Sequence, residues 1–284
     1  MTLARRSAST ASDHAPHVLA RLLATGRPLV IGILNLTPDS FSDGGRFVDP
    51  DVALAHARRM VEDGADILDI GAESTRPYGG ATPVSRDDEL ARLAPVLPEA
   101  VALGVPVSID SIKAEVVAWA LDRGAAIVND VWGLQRDPAM APLVALRGVP
   151  VIIMHNRDSA DPALDIMAEI IAFFDRSLAI ADRAGIARDR IVLDPGIGFG
   201  KTPEQSMTAI GHLDRLATFG LPLLVGASRK RFIATVAPSE PQQRLGGSIA
   251  AHLLAVQKGA AIIRTHDVAE TVQALRVAAA IGGA

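Results

Sequence analysis

The sequence contains no cysteine and very few aromatic residues. Without cysteine, the chain can form no disulfide bond, no thiolate metal site and no cysteine nucleophile. This composition suits a reducing compartment, and we expect a cytoplasmic protein. Because aromatic residues make up only 4% of the 284 residues, the core must be built mainly from Ala, Val, Ile and Leu.

The sequence also lacks long apolar runs and strong clusters of one charge. Its longest uncharged stretches, such as 216–228, stop near about thirteen residues, whereas a membrane-spanning helix needs roughly 18 to 20. Lys and Arg number 28 against 32 Asp and Glu, which gives a formal net charge of −4. No segment gathers enough basic residues to follow a phosphate backbone, so we expect neither a membrane partner nor a nucleic-acid partner.

Eight short runs rich in Val, Ile and Leu recur along the chain and are predicted to be β-strands. Most of them show no alternation of polar and apolar residues, which is typical of parallel strands covered on both faces. Their bounds are 29–34, 66–70, 106–110, 126–129, 149–154, 190–194, 222–226 and 261–264.

Stretches with helical spacing of apolar residues separate these runs. The clearest are 51–63, 87–103, 113–123, 166–184, 204–219, 242–258 and 268–280. Seven glycines stand where a helix would end, as C-terminal capping requires: Gly64, Gly104, Gly124, Gly148, Gly185, Gly220 and Gly259. Eight βα units predict an α/β protein of the (β/α)₈ TIM-barrel type, since an open doubly wound sheet usually has only five or six strands.

The chain is predicted to form a single domain. Residues 27–284 contain no linker and no break in composition. Residues 1–26 lack the apolar run of a secretory signal, and we interpret them as a flexible N-terminal extension.

Polar residues follow every predicted strand, at the end where TIM-barrel enzymes place their active sites. A single Asp or Asn at such a point is most often a helix cap or a turn former. Asp110, Asn129 and Asp194, however, end three strands whose tips converge, and uncompensated acceptors there would be costly to bury. Together they indicate a site for a cationic or donor-rich ligand.

Basic residues follow the last two predicted strands. Arg229, Lys230 and Arg231 come after the seventh, and Arg264 and His266 come after the eighth. Barrel enzymes commonly bind phosphate with these two loops. A solvated charge run would explain the first three residues alone, but the combination favours an anionic ligand.

Taken together, these segments resemble the dihydropteroate synthase family, folate-pathway enzymes that join a pterin diphosphate to p-aminobenzoate and are the targets of sulfonamides. The matching segments occur in order over residues 29–267. They are Gly32-Ile33-Leu34-Asn35-Leu36-Thr37-Pro38-Asp39-Ser40-Phe41-Ser42-Asp43-Gly44-Gly45, Glu73-Ser74-Thr75-Arg76-Pro77, Ser108-Ile109-Asp110-Ser111, Asn129-Asp130, Leu193-Asp194-Pro195-Gly196-Ile197-Gly198-Phe199-Gly200-Lys201, Ser228-Arg229-Lys230 and Arg264-Thr265-His266-Asp267.

The resemblance implies a substrate-binding role for most of these residues. The pterin would be bound by Asp110, Asn129, Met154, Asp194 and Lys230, although Met154 is equally well explained as core. The diphosphate would be held by Asn35, Arg264 and His266, with Asn35 as the protein ligand of a Mg²⁺ cofactor. The p-aminobenzoate would lie against Phe41, Pro77, Phe199 and Lys230.

The resemblance also implies a catalytic set and an assembly. Asp43, Thr75, Arg76 and Lys230 would act at the reacting centre, where the long first and second loops close and exclude water. The substitution would be dissociative (SN1-like), and the enzyme would be a homodimer. Arg231 stands where many relatives carry Ser, so the resemblance does not assign the residue that holds the substrate carboxylate.

Three other interpretations use the same residues. A corrinoid-type methyltransferase barrel would share the pterin pocket but needs neither the 39–45 loop nor the 228–230 segment. A non-catalytic or differently specific paralogue would bind a pterin without making folate. A Schiff-base aldolase could use Lys230, and borohydride trapping with a carbonyl substrate would detect it.

Overall fold

The computed structural model describes residues 16–37, 49–73 and 84–282. Within these ranges, eight parallel strands close into a barrel in chain order, and the last strand pairs with the first. The strands are β1 (Leu29–Asn35), β2 (Ile67–Gly71), β3 (Val107–Asp110), β4 (Ile127–Asp130), β5 (Val151–Met154), β6 (Ile191–Asp194), β7 (Leu223–Val225) and β8 (Ala260–Thr265). The predicted TIM barrel and all eight predicted strands are confirmed.

Helices separate the strands on the chain. They are α1 (Val18–Leu23), α2 (Pro50–Glu62), α3 (Arg86–Leu93), α4 (Leu97–Val101), α5 (Ala114–Leu121), α6 (Met140–Arg147), α7 (Ile166–Ala184), α8 (Pro203–Gly211), α9 (Arg231–Val236), α10 (Leu245–Gln257) and α11 (Val268–Gly282). Short 3₁₀ helices cover Arg188–Arg190, Leu213–Phe219 and Pro241–Gln243. The seven glycines predicted to end helices all have positive φ, and each follows the last residue of a helix within three positions, as predicted.

Two predicted helices are interrupted in the structure. The 87–103 segment forms α3 and α4, because Pro98 lacks an N–H and fits only the first turn of a helix. The 204–219 segment forms α8 and then a 3₁₀ helix, with the break at Gly211 and His212, where glycine lowers helical stability. Helices α6 and α9 were not predicted from the sequence.

The core has two separate layers. The larger one lies between the strands and the surrounding helices and includes Phe174, the largest fully buried side chain. The smaller one takes apolar residues from most strands and fills the barrel interior: Leu29, Ile31, Ile67, Ile127, Ile152, Val192, Leu224 and Ile262, with Leu19 of α1. The barrel is therefore a packed body, and a ligand has room only beyond this inner layer.

Part of the predicted N-terminal extension is ordered. Helix α1 begins after His17, whose ring accepts the N–H of Ala20 and also contacts the carbonyl of Asp189 at 3.0 Å. Leu19 is 2% exposed and joins the inner layer of the barrel. Residues 18–23 thus belong to the folded body because they close the end of the barrel opposite the strand tips, an effect that composition does not reveal.

None of the helices in the described ranges combines the length and apolar character that crossing a bilayer requires.

Candidate active site

The strand alternation places a second, polar layer directly above the inner apolar layer. Side chains two residues apart on a strand point to the same face. Five strands have an inner apolar residue at Ile67, Ile127, Ile152, Val192 and Ile262. The residues two positions further along these strands are Asp69, Asn129, Met154, Asp194 and Arg264. The interior of the barrel therefore becomes polar toward the carboxyl ends of the strands.

Arg264 joins two carboxylates in this polar layer. Its Nε donates to Oδ2 of Asp69 at 2.6 Å, and its NH2 donates to Oδ2 of Asp110 at 3.0 Å. The Arg264 side chain is 16% exposed, and those of Asp69 and Asp110 are 0% and 11% exposed. One guanidinium is thus shared by two buried acids and can balance the charge of only one ionised carboxylate.

Asp69 is a site residue that the motifs did not reveal. It is fully buried in the middle of β2, and its Oδ2 also accepts Nδ2 of Asn129 at 3.0 Å. A sequence signal for it exists, because Asp69 is an acidic residue inside a run predicted to be covered on both faces. An ionised carboxylate is retained in such a position only with partners.

Burial and the second acid change the protonation of Asp110. Burial is the largest cause, and the nearby Asp69 adds to it, so the pKa of Asp110 rises from 3.8 to about 8 despite the opposing effect of Arg264. Near neutral pH the free protein therefore retains a proton on Asp110. A ligand with a hydrogen-bond donor facing this carboxyl would favour its ionised form.

We expect this raised pKa to make the ligand-free protein less stable as the pH rises. Because the pKa of Asp110 is higher in the folded state, its stabilising contribution is complete below about pH 4 and is lost as the pH approaches about 8. An Asp110→Asn variant should lose up to about 1.4 kcal/mol per pH unit of this dependence. Urea unfolding between pH 5 and pH 8 measures the difference.

The control for this experiment is Asp175→Asn, which removes an exposed carboxylate on α7. We expect the control to retain the wild-type slope of unfolding free energy against pH. Identical slopes for Asp110→Asn and the wild type would contradict the assignment of this proton to Asp110.

The loop after β6 is shaped around Asp194 by close backbone contacts. Oδ1 of Asp194 accepts the N–H of Gly196 at 2.7 Å. Gly196 has φ +65°, and a Cβ there would lie 1.9 Å from the carbonyl oxygen of His155, so only glycine fits. Burial raises the pKa of Asp194 to about 6, opposed by the Gly196 hydrogen bond and by Lys230 and Arg264. Oδ2 of Asp194 is left to face a ligand.

Lys201 stabilises the same loop through contacts with its backbone carbonyls and with His155. It is 2% exposed, and its Nζ lies 2.6 Å from Nδ1 of His155, 2.8 Å from the carbonyl of Gly196 and 3.1 Å from the carbonyl of Phe199. Burial lowers the pKa of Lys201 well below its usual value. The sequence motif included Lys201 without a role, and the structure shows that it supports the loop that carries Phe199.

Lys230 contacts the loop that follows β6. Its Nζ is 4.2 Å from the centre of the Phe199 ring, a cation–π distance. A Cβ on Gly198 would lie 3.3 Å from Cδ of Lys230, so the loop and the lysine stem are in close contact. Lys230 and Phe199, both predicted as contacts of p-aminobenzoate, are therefore neighbours.

The basic residues after β7 and β8 divide into two groups. Arg229 forms an ion pair with Asp267, with Nε 3.0 Å from Oδ2, so its charge is used within the protein. His266 is held at the mouth, where Nδ1 lies 3.0 Å from the hydroxyl of Ser228. Of the five basic residues that suggested an anion, Arg264 and His266 stand at the end of β8, the strand that pairs with the strand of Asn35.

The structure brings together one part of the predicted site, and another part lies outside the described residues. Asn35, Asp110, Asn129, Met154, Asp194, Phe199, Lys230, Arg264 and His266 all lie at the carboxyl end of the barrel. The predicted residues outside the described ranges are Phe41, Asp43, Thr75, Arg76 and Pro77.

Asn35, at the end of β1, offers one oxygen ligand to an ion that prefers oxygen and takes few ligands from the protein. No group of three or more His, Cys, Asp or Glu side chains able to hold a metal occurs within 16–37, 49–73 and 84–282. Asn35 ends β1 half-buried and offers an amide oxygen beside the strand of Arg264. Mg²⁺ commonly keeps waters and substrate phosphate oxygens and takes one or two protein oxygens, so a single amide oxygen is compatible with it.

Comparison with known proteins identifies the family to which this geometry belongs. The sequence profile described as pterin binding enzyme matches residues 31–266. The curated dihydropteroate synthase of Bacillus subtilis is 45% identical over 243 residues, which cover 85% of this chain and 84% of that protein. The chain is similar in sequence and fold to these proteins over nearly the whole barrel.

Two solved structures give the same result. A dihydropteroate synthase from Clostridium difficile, crystallised with pteroic acid, has a TM-score of 0.85 and 46% identity and covers 90% of this chain and 97% of its own. A dihydropteroate synthase from Xanthomonas albilineans, solved with 4-aminobenzoic acid, has a TM-score of 0.86 and 46% identity and covers 91% and 94%. With its barrel, its polar inner layer and these matches, the chain belongs to the dihydropteroate synthase family of pterin-binding enzymes.

Proposed function

We propose that this chain is a transferase that condenses 6-hydroxymethyl-7,8-dihydropterin diphosphate with p-aminobenzoate to give 7,8-dihydropteroate and diphosphate. The observation that carries the proposal is the polar inner layer, in which acceptors on β3, β4 and β6 face the cationic Arg264 on β8. The relatives solved with pteroic acid and with 4-aminobenzoic acid support this choice of substrates.

The acceptors match the hydrogen-bonding edge of a pterin. The 2-amino-4-oxo ring presents adjacent N–H donors, and Asp194 can accept two of them with one carboxylate. Asp110 and Asn129 complete the set, and Met154, only 4% exposed and paired in register with Asp194, packs against the flat ring. Each charge-assisted hydrogen bond contributes about 1.5 to 3 kcal/mol, so the pocket discriminates strongly for this edge.

The cationic side of the site binds the leaving group. Arg264 and His266 hold the diphosphate, together with Asn35 as the protein ligand of Mg²⁺, which when bound supplies positive charge to the diphosphate oxygens. The bond between the methylene carbon and the diphosphate oxygen breaks first, and its electron pair leaves with the oxygen. The resulting positive charge on the methylene delocalises into the pterin ring, so fixed charges matter more than a strong base.

The second substrate needs little activation. The arylamine of p-aminobenzoate is neutral at pH 7, its lone pair attacks the methylene carbon, and the nitrogen then loses a proton. Lys230 and Phe199 form one wall of its site, where they already lie 4.2 Å apart. Phe41 and Pro77 are proposed to form the other wall, and Thr75 and Arg76 to act beside the reacting centre.

We expect Asp43→Ala to lower kcat about 100-fold while leaving the affinity for the pterin within about threefold, because Asp43 is proposed to stabilise the cation only in the closed state. Single-turnover kinetics with pterin diphosphate measures the first effect, and pterin fluorescence titration measures the second. Asp43→Asn, which keeps the shape of the side chain and removes its charge, is the matched comparison. Unchanged turnover in Asp43→Ala would contradict this role.

The assay that tests the function supplies the pterin diphosphate, p-aminobenzoate and Mg²⁺ and measures both dihydropteroate and released diphosphate. Equal amounts of the two products support the proposal. Pterin binding without either product would instead indicate the non-catalytic paralogue, and methyl transfer from a reduced folate would indicate the methyltransferase.

We also propose that the enzyme is a homodimer. Helices α10 and α11 pack against each other and expose Leu254, Val277 and Ile281, which are 42%, 53% and 73% exposed. Exposed apolar side chains on two helices that pack together suit a subunit contact. Sedimentation velocity of the wild type and of Ile281→Glu tests this proposal, and a wild-type monomer at micromolar concentration would contradict it.

A further inference from the structure

Asp69 is the most deeply buried charged group of the polar layer, and none of the proposed substrate contacts uses it. It lies at 0% exposure in β2, between the inner apolar layer and the strand tips. A carboxylate without partners in such a position would be strongly destabilising. Its role is therefore determined by the groups that it contacts.

One oxygen of Asp69 connects residues from distant strands. Oδ2 accepts both Nε of Arg264 on β8, at 2.6 Å, and Nδ2 of Asn129 on β4, at 3.0 Å. Arg264 belongs to the diphosphate side of the proposed site and Asn129 to the pterin side. Asp69 is thus the one carboxylate in the described site that contacts a residue from each side.

The contact with Asn129 determines which end of its amide faces the ligand. An ionised carboxylate can only accept hydrogen bonds, so Asn129 must turn its NH₂ group toward Asp69. The amide oxygen Oδ1 is then left for the ligand. If the amide were reversed, two oxygens would meet in a buried site and the ligand would face an N–H donor.

The oriented amide completes a row of acceptors. Oδ1 of Asp110 has no hydrogen-bond partner among the described residues, and Oδ1 of Asp194 accepts the Gly196 N–H and leaves Oδ2. With Oδ1 of Asn129, the site offers an acceptor from each of three strands. A dihydropterin carries N–H groups at N3, at the 2-amino group and at N8, and a row of acceptors complements such a set.

We propose that Asp69 is a positioning residue that orients the Asn129 amide and the Arg264 guanidinium, and so selects a donor-rich heterocycle over one that presents acceptors. The inference rests on the proposed function, since it concerns the pterin of that reaction. For Arg264, anchors at Nε and NH2 fix the plane of the guanidinium, because both bonds lie in that plane.

An exchange of the two side chains tests this role. In Asp69→Asn, the new amide can present either end, the orientation of Asn129 is no longer imposed, and we expect affinity for 6-hydroxymethyl-7,8-dihydropterin to fall about 10- to 100-fold. In Asn129→Asp, two carboxylates face each other and affinity should fall at least as much. The double variant D69N/N129D restores the bond between these two side chains, because Nδ2 of Asn at 69 donates to Asp at 129, whose second oxygen faces the ligand. The same Nδ2 cannot accept Nε of Arg264, so that anchor stays lost, and the probe is therefore a dihydropterin without diphosphate.

The expected result is that the double variant binds 6-hydroxymethyl-7,8-dihydropterin within about fivefold of the wild type, while each single variant is at least about tenfold weaker. Fluorescence titration measures affinity, and thermal unfolding of each variant separates binding from folding. A pterin analogue without the 2-amino group should bind the wild type more weakly, but this loss should shrink in Asp69→Asn.

The outcomes distinguish this inference from the proposed function. Wild-type protein that binds no pterin would remove the proposed function itself. Wild-type protein that binds and turns over, together with a double variant as weak as the single variants, would overturn the role of Asp69. If Asp69→Asn does not fold, the double variant still decides, because it keeps the net charge and the bond between residues 69 and 129; a double variant that neither folds better nor binds more tightly than the single variants overturns the inference.

Discussion

Replacing Asp194 with Ala is expected to lower kcat/KM for the pterin diphosphate by about 10³-fold, because two charge-assisted hydrogen bonds of about 1.5 to 3 kcal/mol each are lost. The same change should cost less stability at pH 8 than at pH 5. Burial raises the pKa of Asp194 to about 6, so its ionised form is unfavourable in the free enzyme. Steady-state kinetics and urea unfolding at pH 8 measure the two effects.

The stability of the Asp194 variant has a definite pH dependence. Because the folded-state pKa is raised, the contribution of Asp194 to stability is lost as the pH rises through about 6, and the stability difference between Asp194→Ala and the wild type should shrink above that value; what remains includes the lost acceptor for the Gly196 N–H. Asp194→Asn is the matched control, since it retains an acceptor for the Gly196 N–H but no charge. A kcat/KM within tenfold of the wild type in both variants would contradict the pterin role of Asp194.

Replacing Arg264 with Met is expected to damage both activity and folding. Loss of a fixed cation at the leaving group lowers kcat/KM by about 10² to 10³. The change also leaves Asp69 and Asp110 without their shared partner, which costs about 3 to 5 kcal/mol for a buried ion pair broken on one side. Kinetics and chemical denaturation of the same preparation measure both losses.

The loss of stability in Arg264→Met should depend on pH in a known direction. Arg264 lowers the pKa of Asp110, so its removal raises that pKa above about 8. Protonation of Asp110 then relieves the uncompensated charge, and the stability difference from the wild type should be larger at pH 9 than at pH 5. Arg264→Lys keeps the charge without two fixed anchors and should lose less stability than Arg264→Met. Equal stability of Arg264→Met and the wild type at pH 9 would contradict the shared ion pair.

The fold could be predicted well because its signals are local. Each strand is a short apolar run, and glycine marks the ends of helices. The errors arose where local signals compete: Pro98 divides the predicted helix 87–103, and α1 is ordered because Leu19 packs into the barrel. Neither effect is visible in the apolar periodicity of the segment itself.

The residues at the strand tips could be named from the sequence, but their pairing could not. Asp69 lies inside a strand, whereas the motifs mark the residues that follow each strand, so the motifs do not indicate it. Lys201 was recognised only as part of a motif, and its contacts with His155 and the carbonyls of Gly196 and Phe199 depend on how the loop folds back. Arg229 resembled an anion contact and instead pairs with Asp267.

By itself, the sequence determined the barrel and the end of it that carries the polar site residues. Burial of a strand on both faces and capping of a helix each constrain residues that are adjacent in the chain, so both can be inferred from local sequence. Only the tertiary structure decided which of these groups touch. Asp69 and Arg264 are 195 positions apart, and they meet because closure of the barrel brings the inward faces of β2 and β8 together across the interior. The relative shift of the strands along the barrel axis determines that contact, and this shift is a property of the closed sheet as a whole.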